Sequence, residues 1–348
     1  MKILYLYSEV MGYTVATLKA LTQLQAFVHV VHWDEYKLTP YQCEASTNIH
    51  FYPRSKYSVQ EIEHLADSIS PDITVVSGWL DKGYLSLAKK LRRAKKKVVV
   101  ALDGQWFGTA RQYLASTLAS LGYFTNFFSH AWVAGTYQYE YARRLGFSKE
   151  SIIYNLYSAD IELFCQAAAS NQANQETYPH RFLYVGRLEA VKNVELLIKA
   201  WQCIKGANKD WELHLIGNGS LSSLIEKDSD IVVKNFMQPH ALVQEAKNAG
   251  CFILPSIYEP WGVVLHEFAA AGLPLICSTA CGSAKSFLIH NYNGYLFDPT
   301  DIDDLADKML KIINSNDLSL YSMGEKSSQL SKKISPHTSA ANLVSISS

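Results

Sequence analysis

The segment Pro255-Ser-Ile-Tyr-Glu-Pro-Trp-Gly-Val-Val-Leu-His-Glu-Phe-Ala-Ala-Ala-Gly-Leu-Pro274 decides the fold class of the second half of the chain. An apolar strand leads into Glu259, a Pro-Trp-Gly turn follows, and the pattern predicts an apolar helix over residues 263–271. A glycine and then a proline end that helix, as a glycine cap followed by proline does. A short strand, a tight turn and a helix in this order are typical of a parallel α/β domain.

Two carboxylates flank the predicted start of this helix, because Glu259 lies before it and Glu267 lies inside it. The first amides of a helix have no partner within the helix and form the positive end of its dipole, so the place suits an anion. The carboxylates can accept hydrogen bonds from hydroxyl groups nearby. A phosphorylated sugar has both features, although glutamates that only stabilise the helix dipole would show the same spacing.

Composition narrows the class of protein. The chain has 348 residues, 48% hydrophobic and 18% charged, which is enough for two well-packed domains. Lysine plus arginine equals aspartate plus glutamate, at 32 each, which argues against a general nucleic-acid binder. Six scattered cysteines without a CxxC pair, and no apolar run long enough to cross a membrane, predict a cytoplasmic protein that is at most attached to the inner face of a membrane.

Short β-branched segments alternate with helical patterns along both halves, which predicts an α/β fold of two doubly wound, Rossmann-like domains facing a central cleft. We place the first domain at residues 1–165, a polar linker at 166–180 and the second domain at 181–330. Residues 331–348 are either a tail or a helix that crosses back to the first domain. Ligands of such sheets bind at the carboxyl ends of the strands, so the site is expected in the cleft.

Two further motifs follow predicted strands of the second domain. The strand over 182–185 runs into a loop with Arg187 and Lys192, and these two cations can clamp a diphosphate. Gly217 follows the next strand, where the absence of a side chain allows close approach of the backbone to a ligand. Taken alone, a solvated basic loop and an ordinary tight turn explain the same residues.

Together, these motifs resemble those of the family-4 retaining glycosyltransferases of the GT-B fold. The resemblance covers roughly residues 180–315. It is carried by Tyr184-Val-Gly-Arg187 with Lys192, Ile216-Gly-Asn-Gly219, the segment from Glu259 to Glu267, and Asn293-Gly-Tyr-Leu-Phe297.

The resemblance implies a role for each site residue of the second domain. Arg187 and Lys192 would neutralise the diphosphate of a nucleotide-sugar donor. Glu267 would bind the ribose hydroxyls and Glu259 those of the transferred hexose. The backbone amides that would contact sugar and phosphate belong to Gly262, Val263 and Val264. Preorganised cations and a helix start can stabilise the departing diphosphate.

No metal ion and no cofactor other than the donor substrate is expected. Asp301, Asp303 and Asp304 are close in sequence, but they precede a predicted helix and are interpreted as capping residues rather than metal ligands.

The first domain, which would bind the acceptor, matches the family less well. Gly12 stands where the family has a glycine-rich loop that approaches the donor phosphate. Asp103 follows a central strand, where the family has a histidine. Asp103 would orient the acceptor hydroxyl or take its proton, or it only caps the following turn.

The predicted function is transfer of a hexose from a nucleotide-diphosphate sugar to a hydroxyl of a glycan or lipid-linked glycan, with retention of configuration, as in bacterial-type surface polysaccharide synthesis. Two alternatives stay open. One is an epimerase or phosphorylase of the same fold, and the other is a glycan- or nucleotide-binding protein without turnover, which the change at Asp103 keeps possible.

Two segments bear on contact with an anionic membrane. Residues 88–97 contain seven cations and no acid, and residues 112–128 are rich in aromatic and apolar side chains. The first is either a solvated helix end or a lipid-binding patch, and the second is either core or a surface for a lipid-linked acceptor.

Overall fold

A computed structural model of the chain describes residues 1–35, 41, 47–120, 122–173, 178–207, 210–225 and 230–347. The chain divides into two compact units, the first made of residues up to 158 together with those from 336 onward, and the second made of residues 159–335.

The first unit is built on a parallel sheet that has seven strands in the part of the chain that the structure describes, in the order β3-β2-β1-β4-β5-β6-β7. The strands are β1 (Lys2–Tyr7), β2 (Phe27–His32), β3 (Ile49–Pro53), β4 (Ile73–Ser77), β5 (Lys97–Leu102), β6 (His130–Val133) and β7 (Ile152–Ile153). The helices between them are α1 (Gly12–Gln23), α2 (Val59–Ile69), α3 (Lys82–Arg93), α4 (Ala110–Ser120) and α5 (Thr136–Arg144).

The strands and helix starts of this unit follow from local sequence. Val98, Val99 and Val100 of β5 are fully buried, as expected for a parallel sheet covered on both faces. Helix α2 begins with a capping box, in which the Ser58 hydroxyl accepts from the Glu61 amide and the Glu61 carboxylate accepts from the Ser58 amide. This capping box fixes where α2 begins.

The second unit has a parallel sheet with six strands among the described residues, in the order β10-β9-β8-β11-β12-β13. The strands are β8 (Arg181–Val185), β9 (Glu212–Ile216), β10 (Ile231–Lys234), β11 (Cys251–Leu254), β12 (Leu275–Ser278) and β13 (Gly294–Phe297). The helices are α6 (Ile161–Ala173), α7 (Val194–Ile204), α8 (Ser222–Ile225), α9 (Pro239–Lys247), α10 (Val263–Ala270), α11 (Ala284–Phe287), α12 (Ile302–Ile313) and α13 (Asp317–Ser331).

The strand order of the second unit reverses between β8 and β11. From β8 the chain moves outward through β9 and β10, and it then returns to pair β11 with the other side of β8. The loops that leave the carboxyl ends of these two strands therefore lie side by side. In doubly wound sheets this is where ligands bind.

The prediction of two doubly wound domains is confirmed, but the boundary residues differ from expectation. The predicted linker at 166–180 begins inside α6, which extends to Ala173 and packs against α9 and α10. The alanine-rich run in this segment has high helix propensity, which outweighs its polar composition. A final helix, α14 (Pro336–Val344), packs against α1 of the first unit, as the crossover alternative requires.

No helix among the described residues is both long and apolar enough to cross a bilayer.

His266 fixes the position of α10 within the second unit. It is fully buried, its Nδ1 accepts from the Ala159 amide at 3.1 Å, and its Nε2–H donates to the Ser331 carbonyl at 2.8 Å. The ring also stacks on Phe287 with centroids 3.9 Å apart. Burial lowers the pKa of His266 to about 4, although the hydrogen bond to Ser331 acts in the opposite direction. The residue is therefore held neutral.

We predict that acid weakens the fold through His266. Because the pKa is lower in the folded state, the stabilising effect of the neutral ring is complete above about pH 6.5 and is lost as the pH falls towards 4. The loss at pH 4 should approach about 3 kcal/mol in the free energy of unfolding. His266→Gln cannot titrate, so it should be less stable at pH 7 but lose less between pH 7 and 4, as measured by urea unfolding. His64→Gln, at an exposed position of α2, serves as the control, and equal acid losses in wild type and His266→Gln would contradict the prediction.

Candidate donor-binding site

The loops after β8 and β11 are joined by an ion pair. Lys192 Nζ contacts Glu259 Oε2, and the Ser256 hydroxyl donates to the same oxygen at 3.2 Å. The two charged side chains are only 16% and 11% exposed. A pair so shielded from water interacts more strongly than a surface pair. The cation and the carboxylate that the sequence placed in separate motifs therefore form one unit at the strand reversal.

Asn193 fixes the loop that carries Lys192. Its φ is +59°, a left-handed conformation that asparagine tolerates better than most residues. Its buried amide donates to the Pro255 carbonyl at 3.1 Å and to the Pro299 carbonyl at 2.8 Å. One side chain thus ties the loop after β8 to the loops after β11 and β13.

The turn that follows Glu259 is held by the loop after β12. The Gly282 amide donates to the Glu259 carbonyl at 3.0 Å, and the Ser283 amide donates to the Trp261 carbonyl at 2.8 Å. The Ser283 hydroxyl also donates to the Gly262 carbonyl at 2.9 Å. Hydrogen bonds to the carbonyls of Glu259, Trp261 and Gly262 thus fix the path of the backbone into α10.

Gly262 is required at the start of α10 by its backbone and by its neighbours. Its φ is +83°, and a Cβ atom there would lie 2.8 Å from Cγ of Glu259 and 3.0 Å from Sγ of Cys281. Val263 and Val264 form the first turn of the helix, which contains no acidic residue. The predicted arrangement, with Glu259 beside a helix start that can bind an anion, is present in the structure.

Glu267 lies one turn further along α10 and is partly buried. Burial raises its pKa to about 7, and the negative charge of Asp160 adds to the shift. The carboxyl group therefore changes charge near neutral pH. The sequence predicted a binding role for Glu267 but none for Asp160, whose charge acts on Glu267 from just before the start of α6.

Arg187 and Gly217 lie at the ends of the adjacent strands β8 and β9. The Arg187 side chain is exposed, while its carbonyl accepts a hydrogen bond from the Tyr184 hydroxyl at 2.7 Å. A Cβ atom on Gly217 would lie 1.9 Å from the Gly186 carbonyl oxygen. Gly217 thus allows the loops after β8 and β9 to touch, which is a structural role. Its contact with a ligand stays a prediction.

Asp103 and Gly12 belong to the first unit, and their roles stay predictions. Asp103 is exposed after β5, where its Oδ2 accepts from the Tyr157 hydroxyl at 3.4 Å and its carbonyl accepts from the Gln138 amide at 3.0 Å. Gly12 is the first residue of α1. The Tyr157 hydroxyl therefore positions the Asp103 carboxylate. The sequence did not predict this contact.

The aspartates near the end of the second unit act as predicted in one respect. The Asp301 carboxylate accepts from the Asp304 amide at 3.0 Å and caps α12. Among the residues with described positions, no three histidine, cysteine or acidic side chains are grouped as metal ligands would be.

The second half of the chain is similar in sequence to known glycosyltransferases. Residues 166–333 match the family model "Glycosyl transferases group 1", which confirms the resemblance inferred from the motifs. An uncharacterized glycosyltransferase of Methanocaldococcus jannaschii is 32% identical over 162 residues, which cover 44% of this chain and 43% of that protein. The lipopolysaccharide 1,6-galactosyltransferase of Salmonella typhimurium is 29% identical over 39% of this chain and 40% of its own length. The matched region thus spans less than half the length of these two relatives.

Solved structures extend the likeness of the fold to the whole chain. A sucrose-phosphate synthase from Thermosynechococcus elongatus superposes with a TM-score of 0.75 at 16% identity, covering 99% of this chain and 98% of that one. The Anabaena protein HepE, in complex with UDP and glucose, gives 0.73 at 15% identity, with 99% of each chain covered. The predicted GT-B fold is confirmed.

The raised pKa of Glu267 predicts an unusual effect of neutralising it. The folded state binds this proton more tightly than the unfolded state, so the contribution to stability is complete below about pH 4.5 and is lost as the pH rises through 7. Glu267→Gln should therefore be more stable than wild type at pH 8, with the difference vanishing at pH 5. Urea unfolding between pH 5 and 8 measures this, with Glu195→Gln at an exposed position of α7 as the control. If wild type is as stable as Glu267→Gln at pH 8, the raised pKa of Glu267 is contradicted.

Proposed function

Since residues 166–333 match the group 1 glycosyltransferases, we propose that the protein transfers a hexose from a nucleotide-diphosphate sugar to a hydroxyl of a glycan or lipid-linked glycan, with retention of anomeric configuration. The observation that carries this proposal is the Lys192–Glu259 pair beside the start of α10. There a fixed cation, a helix dipole and a hydroxyl acceptor converge at the strand reversal.

The charges of the departing diphosphate would be stabilised by three groups of the second unit. Lys192 supplies a cation whose position is set by Glu259, the exposed Arg187 supplies a planar guanidinium, and the first turn of α10 supplies backbone amides. All three groups are in place before the bond to the sugar breaks. They therefore lower the barrier without reorganising as charge develops.

The two glutamates would bind hydroxyl groups rather than act as an acid and a base. Glu259 is held by Lys192 and Ser256, so its remaining lone pairs can accept from the transferred hexose. Glu267 would accept from the ribose hydroxyls. Those hydrogen bonds favour its charged form and offset the cost of burying the carboxylate.

The first unit would supply the acceptor side of the reaction. Asp103, held by the Tyr157 hydroxyl, would orient the acceptor hydroxyl, and the backbone at Gly12 would approach the donor phosphate. The departing phosphate itself can take the acceptor proton, so Asp103 need not be the base.

Known proteins suggest which substrates to test first. HepE has been solved in complex with UDP-glucose, and the Salmonella relative is a lipopolysaccharide galactosyltransferase. We therefore propose a uridine diphosphate hexose as the donor and a surface polysaccharide precursor as the acceptor. Cys203 is an exposed free thiol, which fits a reaction in the cytoplasm, free or at the inner face of the membrane.

The donor site is tested by substitutions that separate binding from transfer. Lys192→Met should weaken the affinity for the donor diphosphate by roughly tenfold to a hundredfold, the usual effect of losing a charged hydrogen bond. Glu267→Ala should also weaken it. Glu259→Ala removes a contact with the hexose but frees Lys192 for the phosphate, so it should lower the rate of transfer more than the donor affinity. Calorimetry with UDP-glucose and a panel of other nucleotide-sugars measures affinity, and slow donor hydrolysis measures turnover.

Lys199→Met, at an exposed position of α7, is the matched control. Unchanged donor affinity in both Lys192→Met and Glu267→Ala would contradict the site. Donor binding without hydrolysis or transfer to any acceptor would instead support a binding protein that has lost turnover.

A further inference from the structure

Positive charge is concentrated in one part of the first unit. Residues 82–139 contain nine lysines and arginines and a single acid, Asp103, although the chain as a whole is balanced at 32 of each sign. The rest of the chain is therefore net acidic. A segment with this excess favours an anionic partner.

Several of these cations lie exposed at the end of α3. Lys89, Arg93 and Lys95 are exposed, and in the described part of the chain none of them forms an ion pair with a carboxylate. Lys90 differs, because it pairs with Asp67 at 3.0 Å and with Glu63 at 3.5 Å. The basic run is thus only partly compensated by α2.

The exposed face of α4 carries three large apolar side chains, beside the polar Arg111 and Thr117. Tyr113 and Leu114 are 60% and 62% exposed, and Leu118, one turn further, is 39% exposed. Leu114 and Leu118 are four positions apart and are therefore neighbours on one side of the helix, and Tyr113 flanks Leu114, so the three form an apolar strip. The opposite side of the helix packs into the core through Ala119. Phe107, just before the helix, is 53% exposed and extends the apolar surface.

The turn after α4 connects this strip to the cations of α3. Tyr123 is 46% exposed, and its ring contacts Phe124 and Phe127, each at a centroid distance of 5.3 Å. Lys89 Nζ lies 5.7 Å from the centre of the Phe127 ring. The aromatic turn that follows α4 therefore borders the basic end of α3. We call this surface the docking face, defined by Tyr113, Leu114, Leu118 and Tyr123 with Lys89, Arg93 and Lys95.

We propose that the docking face binds the surface of an anionic lipid bilayer. An exposed apolar strip bordered by cations suits the interface between headgroups and acyl chains, where apolar side chains insert and cations meet lipid phosphates. This inference deepens the proposed function and rests on it for one point, namely that the acceptor is lipid-linked. The binding itself requires only the residues of the docking face.

A second copy of the chain fits this surface less well. A two-fold contact through the docking face would place Lys89, Arg93 and Lys95 of both copies in one interface, where their charges repel and no residue that defines the docking face is acidic. The phosphates of anionic lipids neutralise these cations, whereas apolar contact between two copies leaves their repulsion in place.

Flotation of the full chain with lipid vesicles tests the proposal. Wild type should bind vesicles of phosphatidylcholine with about one quarter phosphatidylglycerol, and it should bind pure phosphatidylcholine far less. Each cation near such a surface contributes roughly fivefold, so Lys89→Glu/Arg93→Glu/Lys95→Glu should lose on the order of a hundredfold or more in partitioning. Leu114→Glu/Leu118→Glu should lose at least about tenfold at the same lipid charge.

Matched substitutions elsewhere control for charge and for folding. Leu318→Glu replaces a leucine of α13 that is 82% exposed, and Lys19→Glu/Lys199→Glu/Lys333→Glu reverses three exposed lysines outside the docking face. Both should bind vesicles nearly as wild type does. Thermal unfolding should be close to that of wild type in every variant, because all the substituted side chains are at least partly exposed.

Three outcomes would overturn the proposal: no binding of wild type to anionic vesicles, equal binding to neutral vesicles, or equal losses in the docking-face and control variants. Concentration-dependent dimers that Leu114→Glu/Leu118→Glu abolishes would assign the surface to a second copy instead. Thermal stabilisation by UDP-glucose is measured in parallel. Vesicle binding without donor binding would support the docking face and contradict the proposed function. Donor binding without vesicle binding would support the proposed function and contradict the docking face.

Discussion

The pairing of β8 with β11 is the constraint on which the candidate site depends. These strands are more than sixty residues apart in the sequence, yet their carboxyl ends lie side by side because the strand order reverses between them. The reversal brings Lys192 to Glu259 and aligns both with the start of α10. Any sequence that builds this sheet order creates the crevice, and the loop residues then determine its chemistry.

Burying the charged side chains of the site costs free energy, and uncharged neighbours hold the backbone that carries them. Burial raises the pKa of Glu267 to about 7, and Lys192 and Glu259 are both largely shielded from water. Asn193 and Ser283 hold the surrounding backbone through bonds to carbonyl groups, without adding charge. A neutral scaffold of this kind keeps the charged groups in place, so that little reorganisation would be needed if the proposed donor binds there.

Local patterns predicted the strand over 182–185 and the helix over 263–271, and each is within one residue of the bounds of β8 and α10. The segment around Glu259 also predicted the start of α10 and the resemblance to glycosyltransferases that the family model confirms over residues 166–333. What sequence reasoning missed depends on distant partners. Asp160 acts on Glu267 from another helix, and Tyr157 reaches Asp103 across more than fifty residues. The part of α6 from residue 166 onward lies in the predicted linker, because a polar composition favours a loop whereas the alanines in the same run favour a helix.

The distribution of charge illustrates why whole-chain totals are a poor guide to partners. Equal numbers of acids and bases argue against a nucleic-acid binder only if they are mixed, and here they are separated along the chain. Within the basic segment, neutralisation is again selective, since Lys90 is paired with α2 while Lys89 lies over an aromatic ring beside an apolar strip. Solubility alone would favour polar residues at Tyr113 and Leu114, which are more than half exposed. Apolar side chains at these positions, together with exposed cations of α3 that pair with no described carboxylate, therefore point to a partner of low polarity and negative charge, two properties that a lipid bilayer combines.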